Sequence, residues 1–138
     1  MGAAPMDAFQ KQSTAPTGQS LLRSMLIAED DERLMQCLAR AMEARGFHVM
    51  IAGSVFEALA KIQLNAVVDM RFGDGCGLDV VAALKQQRPD ARAIILTGYD
   101  NIATAVQAVK LGAIDYLTKP VNADDIVSAL ASAIRVQS

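Results

Sequence analysis

The sequence predicts an α/β fold, a doubly wound five-stranded parallel sheet in a single domain. From Met25 onward, short apolar runs alternate with segments of helical period, five of each. The runs are nearly continuous in apolar character, as strands buried on both faces are. A chain of 138 residues with 52% apolar content is one domain long and can fill one core. Aromatic residues make up only 4%, so that core is aliphatic: Leu, Ile, Val, Ala and the seven Met.

Residues 1–24 mix Gln, Ser, Thr, Gly and two Pro without sustained periodicity, which predicts a disordered tail ahead of a domain over 25–138. The first strand is expected at Met25–Ala28. The first helix is expected over Glu32–Arg45, with Asp31 as N-cap, Leu34, Leu38, Ala41 and Met42 on one face, and Gly46 as the stop. His48–Ala52 reads as the second strand. Ser54 and Glu57 have capping-box spacing and open a helix running to about Gln63. Ala66–Met70 is the third strand. Gly73 to Gly77 reads as a flexible loop, because it lacks the G-x-G-x-x-G frame of a nucleotide cradle. A third helix, Leu78–Gln87, ends before Arg88-Pro89. Ala93–Thr97 is the fourth strand, Ile102–Leu111 the fourth helix up to Gly112, and Ile114–Leu117 the fifth strand. The last helix starts after an N-cap Asn122 and runs to Val136, with Asp124 and Asp125 complementing its dipole.

Several function classes are excluded early. Thirteen basic against fifteen acidic side chains leave a charge of −2, which is no footprint for nucleic acid. Cys37 and Cys76 lie in unlike contexts without metal-ligand spacing and read as reduced thiols. No apolar run approaches the ~18 residues of a membrane span, and the N-terminus has no secretory pattern, so a cytoplasmic location without a membrane partner is expected. His48, the only histidine, opens a strand and reads as structural.

In an open parallel sheet the reactive site lies at the carboxyl ends of the strands. Strand one ends in Glu29-Asp30, strand three in Asp69, strand four in Thr97, and strand five is followed by Thr118-Lys119-Pro120. Each alone is ordinary; together they bring acids, a hydroxyl and an ammonium to one edge. Converging carboxylates call for a hard divalent cation that keeps waters and phosphate oxygens. A carboxylate beside such a cation can attack a phosphoryl group and form an aspartyl phosphate.

These residues resemble the receiver domain of two-component response regulators over residues 25–135. The resemblance implies a flavodoxin/CheY-like sheet with strand order 2-1-3-4-5. It implies phosphorylation at Asp69, with Mg²⁺ or Mn²⁺ held by Glu29, Asp30, Asp69 and the backbone carbonyl of Arg71. Thr97 and Tyr116 match the switch hydroxyl and switch aromatic, and Lys119 the phosphate-sensing lysine. Pro120 matches the proline that follows a cis bond. Over residues 66–120 the stretches VVDMRFGDGCGLDVVAALKQQRPDARAIILTGY and IATAVQAVKLGAIDYLTKP are similar to the RegA/PrrA/ActR type of redox-responding regulator. The implied partners are a sensor histidine kinase, a second copy on phosphorylation, and DNA through an output domain not among these residues.

Two departures stand out. Gly53 to Asn65 leave a crossover roughly five or six residues shorter than the family's, near the ~10–12-residue minimum, so a clipped second helix or a tight return is expected. Regulators of this type carry a C-terminal helix-turn-helix domain that is not among these residues, so a receiver fragment of a longer regulator is expected, with a stand-alone receiver as the alternative. Two rivals are a receiver-like interaction module that is never phosphorylated, and a Mg²⁺-dependent phosphohydrolase. The hydrolase needs a second acid two residues after its nucleophile, where this chain has Arg71.

Overall fold

The computed structural model describes residues 23–137. The tail expected over residues 1–24 lies outside the described residues except at Arg23 and Ser24, and Ser24 already belongs to the first strand. The elements are β1 (Ser24–Ala28), α1 (Glu32–Ala44), β2 (His48–Ala52), α2 (Val55–Leu59), β3 (Asn65–Asp69), β4 (Arg71–Phe72), β5 (Gly75–Cys76), α3 (Gly77–Gln87), β6 (Arg92–Thr97), α4 (Ile102–Lys110), β7 (Asp115–Thr118) and α5 (Ala123–Gln137). A single 3-10 turn, Tyr99–Asn101, leads into α4.

The five long strands pair in parallel in the order β2-β1-β3-β6-β7, which is the predicted 2-1-3-4-5 once the short hairpin strands are set aside. Because side chains alternate across a strand, neighbouring residues serve two different cores. Leu26, Ala28, Ala66, Val68, Ala93 and Ile95 pack with Val80, Val81 and Leu84 of α3 and Ala105 and Ala108 of α4. Met25, Ile27, Val67, Ile94 and Leu96 pack with Met35, Leu38 and Met42 of α1 and Ile126 and Leu130 of α5. Burial on both faces is what made β1, β3 and β6 read as continuous apolar runs, whereas the edge strands β2 and β7 are partly exposed.

The helix ends follow local chemistry. Leu34 N–H donates to Asp31 Oδ1 at 3.2 Å at the start of α1, and Gly46 takes φ +91° just past its end, a conformation that glycine adopts without strain. Asn122 Oδ1 accepts from Asp125 N–H at 3.0 Å at the start of α5.

The short crossover closes, and it does so with a clipped helix. α2 spans five residues rather than reaching Gln63. Ser54 Oγ accepts from Glu57 N–H at 3.0 Å as expected, but Glu57 Oε1 accepts from Gly53 N–H at 2.7 Å, one residue upstream of capping-box geometry. Ala60 and Lys61 N–H turn back to Glu57 and Ala58 carbonyls, tightening the last turn, and Lys61 Nζ donates to Ile51 O at 2.9 Å. Chain length is what stops the helix, since residue 65 must already lie beside β1. The cost is exposed apolar surface, with Phe56 81% accessible and Met50 and Leu59 about two fifths.

The glycine-rich segment is a correction to the sequence reading. It is an antiparallel hairpin, with Arg71 paired to Cys76 and Phe72 to Gly75, and it is strapped in place. Asp74, at its tip, accepts from Val55 N–H at 2.9 Å and Phe56 N–H at 3.0 Å, capping α2 from outside; those bonds hold the Asp74 carboxyl below its usual range. At its base, Gly77 N–H donates to Met70 O at 2.8 Å, and a Cβ on Gly77 would run into the Asp69 carbonyl oxygen. Gly77→Ala is therefore expected to lower the unfolding free energy by about 1–3 kcal/mol in urea titration. Gly73→Ala, with open space around it, should stay within ~0.5 kcal/mol. Equal effects at both positions would contradict the close approach.

Candidate functional site

β1 and β3 are adjacent parallel strands, so their carboxyl ends finish side by side and set Glu29 and Asp30 next to Asp69. One carboxylate oxygen from each of the three lies within 4.8 Å of the others. Asp30 is exposed, whereas Glu29 and Asp69 are buried. Lys119, just past β7, reaches across β6 to both buried acids, with Nζ 2.9 Å from Asp69 Oδ1 and 3.1 Å from Glu29 Oε1.

Burial dominates the electrostatics. It pushes the Glu29 carboxyl up to about 7, with the charge of Asp69 adding to the rise; the Asp31 N–H bond at 3.1 Å and the Lys119 ammonium oppose it. Glu29 Oε1 has the ammonium's charge nearby but no well-directed hydrogen bond. Burial pulls Lys119 down, yet its bond to Asp69 and the two negative charges outweigh that and hold it above its ordinary value. A single ammonium thus serves two acids, and Asp30 lies beside them. Three converging carboxylate oxygens, two of them on buried groups that share one ammonium, suit a hard divalent cation.

The other predicted residues fall at varied distances from this centre. Thr97 is buried, and its hydroxyl donates to the Gly98 carbonyl at 3.1 Å rather than toward Asp69. Tyr116 is half-buried against the core on the α3–α4 side of the sheet. The Lys119–Pro120 peptide bond is cis. Arg71 begins the hairpin, and its side chain, which the sequence reading did not use, donates through Nη2 to Asp100 Oδ2 at 3.2 Å and Asn101 Oδ1 at 3.1 Å. Asp69, Arg71, Gly98, Asp100, Asn101 and Lys119 line an open cavity of 230 Å³, large enough for a phosphoryl group and several waters. Asp100 and Asn101 were missed because nothing in their local sequence marks a partner some thirty residues upstream.

Residues 25–131 match the model of the response regulator receiver domain family. Among curated relatives, the acid tolerance regulatory protein ActR of Sinorhizobium medicae is 59% identical over 112 residues, 78% of this chain and 58% of its own length. The photosynthetic apparatus regulatory protein RegA of Rhodovulum sulfidophilum is 53% identical over 113 residues, 79% of this chain and 62% of its own. The chain therefore spans less than two thirds of the length of these relatives. Among solved structures, a response regulator from Burkholderia pseudomallei with a phosphorylated aspartic acid, calcium ion and citrate is 40% identical, with a TM-score of 0.71 over 83% of this chain and 72% of that one. A CheY-like receiver domain protein from Methanospirillum hungatei gives a TM-score of 0.75 at 27% identity, over 83% and 95%. Sheet order, family match and relatives agree: the chain belongs to the response regulator receiver domain family.

Proposed function

We propose that this receiver accepts a phosphoryl group on Asp69 from a sensor histidine kinase, with Mg²⁺ (or Mn²⁺) held by Glu29, Asp30, Asp69 and the Arg71 backbone carbonyl. The observation that carries the reading is the Lys119 ammonium 2.9 Å from Asp69, with both residues lining one open cavity. An Asp69 carboxylate oxygen forms the new P–O bond as the bond from phosphorus to the kinase's histidine nitrogen breaks. Phosphoryl transfer asks mainly for positioning and charge neutralisation. A cation held by Glu29, Asp30 and Asp69 would supply part of that neutralisation. Lys119 supplies a fixed positive charge, and the Thr97 hydroxyl, released from Gly98, donates to a phosphoryl oxygen. Tyr116 then turns toward the space Thr97 leaves.

An open groove of 740 Å³ along α1, lined by Glu32, Arg33, Gln36, Cys37, Arg40 and Ala41, supports docking of the kinase there. Val106, Val109 and Leu111 stand exposed on and just after α4, which supports an output or homodimer face that changes on phosphorylation. Relatives named as regulatory proteins, among them the transcriptional regulatory protein AlgB of Pseudomonas aeruginosa, support control of a DNA-binding output domain not among these residues. No helix among the described residues is long and apolar enough to cross a membrane; a cytoplasmic site of action follows from the proposed kinase and DNA partners. The unphosphorylated-module alternative had the short crossover as its best support, and that crossover leaves Asp69 beside Glu29 and Asp30.

Incubation with acetyl phosphate and Mg²⁺ should add the mass of one phosphoryl group to the wild type and none to Asp69→Asn; no gain on the wild type would sink the reading. A second outcome follows from Glu29. Without metal, the folded protein holds the Glu29 proton up to about 7, while the unfolded chain releases it near 4.5. Across that window the folded state binds more protons, so raising the pH from 4.5 through 7 favours unfolding. Urea midpoints in metal-free buffer should fall over this range, and Glu29→Gln should flatten the fall. An unchanged slope in that variant would contradict the assignment.

A further inference from the structure

We propose that the Arg71 guanidinium is a ligand of the phosphoryl group, and that its departure from Asn101 frees that side chain to cap α4. The proposal deepens the phosphorylation reading and rests on it. Arg71 and Lys119 are the cationic side chains lining the cavity beside Asp69. Arg71 is tied there through Nη2 to Asp100 and Asn101, and the pair with Asp100 is exposed, at 69% and 72% of the two side chains.

Magnitudes decide which partner holds the guanidinium. An exposed ion pair shifts an equilibrium by about fivefold or less. A charge-assisted pair with a group carrying close to two negative charges, where two parallel N–H bonds can form, is worth roughly tenfold to a hundredfold. A phosphoryl group on Asp69 therefore outcompetes Asp100, which its charge also repels.

Asn101 makes the exchange consequential. It stands at the N-cap position of α4 as the last residue of the 3-10 turn, with φ −120° and ψ 18° rather than an extended backbone, and its side chain makes no capping bond while Oδ1 accepts from Arg71. Asn is among the favoured N-cap residues, and its amide oxygen ordinarily accepts from the second or third helical N–H, here Ala103 or Thr104. With Arg71 withdrawn, the Asn101 backbone opens toward the extended conformation and Oδ1 turns to that task. The start of α4 is then held differently in the two states, and the apolar face bearing Val106 and Val109 moves with it. Asp100, released as well, stands at the positive end of the helix dipole.

The test combines intact mass, residue-resolved amide exchange by NMR, and titration with beryllofluoride, a phosphoryl mimic, in the presence of Mg²⁺. Phosphorylation of the wild type should slow exchange at Ala103 or Thr104. Arg71→Ala and Arg71→Met should show the slowed exchange without phosphorylation, and Asn101→Ala should stay fast in both states. Arg71→Met should also bind beryllofluoride roughly tenfold more weakly. Wild-type exchange rates in unphosphorylated Arg71 variants, or undiminished beryllofluoride affinity, would overturn the proposal. If Asp69 never gains mass, the phosphorylation reading fails by itself. The unphosphorylated Arg71 variants still decide the latch in that case, through the same exchange rates.

Discussion

The site is organised around one ammonium group placed between two buried carboxylates. Glu29 and Asp69 end neighbouring strands, so the parallel pairing of β1 with β3 forces their negative charges together. Two acids in that position repel each other and lose hydration, and the rise of Glu29 to about 7 records both effects. Lys119 offsets part of the repulsion from the far side of β6, and its own proton is held more tightly in return. The balance is incomplete, because a third carboxylate, Asp30, stands at the mouth. Excess negative charge suits the proposed divalent cation, and a carboxylate held beside a fixed ammonium suits the proposed phosphoryl acceptor.

The same strand ends are held by the hairpin that follows Asp69. Gly77 lets α3 start against the Asp69 and Met70 backbone, and Phe72 is buried in the core on that side. Asp74 ties the hairpin to α2 on one flank, and Arg71 ties it to the turn before α4 on the other. The clipped crossover thus makes α2 depend on a cap supplied from the hairpin. A five-residue helix is far too short to be stable on its own. Its first N–H groups are satisfied by Asp74 and Ser54, and Val55 and Ala58 are buried beneath it.

Much of this was legible in the sequence because strand termini are marked by polar residues breaking apolar runs. Glu29, Asp30, Asp69, Thr97 and Lys119 were found by that rule, and the β2-β1-β3-β6-β7 order followed from the family they resemble. The hairpin was misread from its glycines, although a two-residue Gly-Asp turn between short flanks is itself a hairpin signal. The end of α2 was overextended because Lys61, Ile62 and Gln63 carry no stop signal; what ends the helix is the need to enter β3, a tertiary demand that propensity does not encode. The double pairing of Lys119 and the reach of Arg71 join residues far apart in sequence, and no local pattern announces them.

Glu29, Asp69 and Lys119 form one centre in which two buried acids share an ammonium, and the proposed cation site rests on it. Carbon-13 NMR titration of the Glu29 side-chain carboxyl, with and without Mg²⁺, tests it most directly. Glu29 should titrate near 7 in metal-free protein and fall into the ordinary carboxylate range when Mg²⁺ is added. A Glu29 that titrates near 4.5 in both conditions would contradict the account.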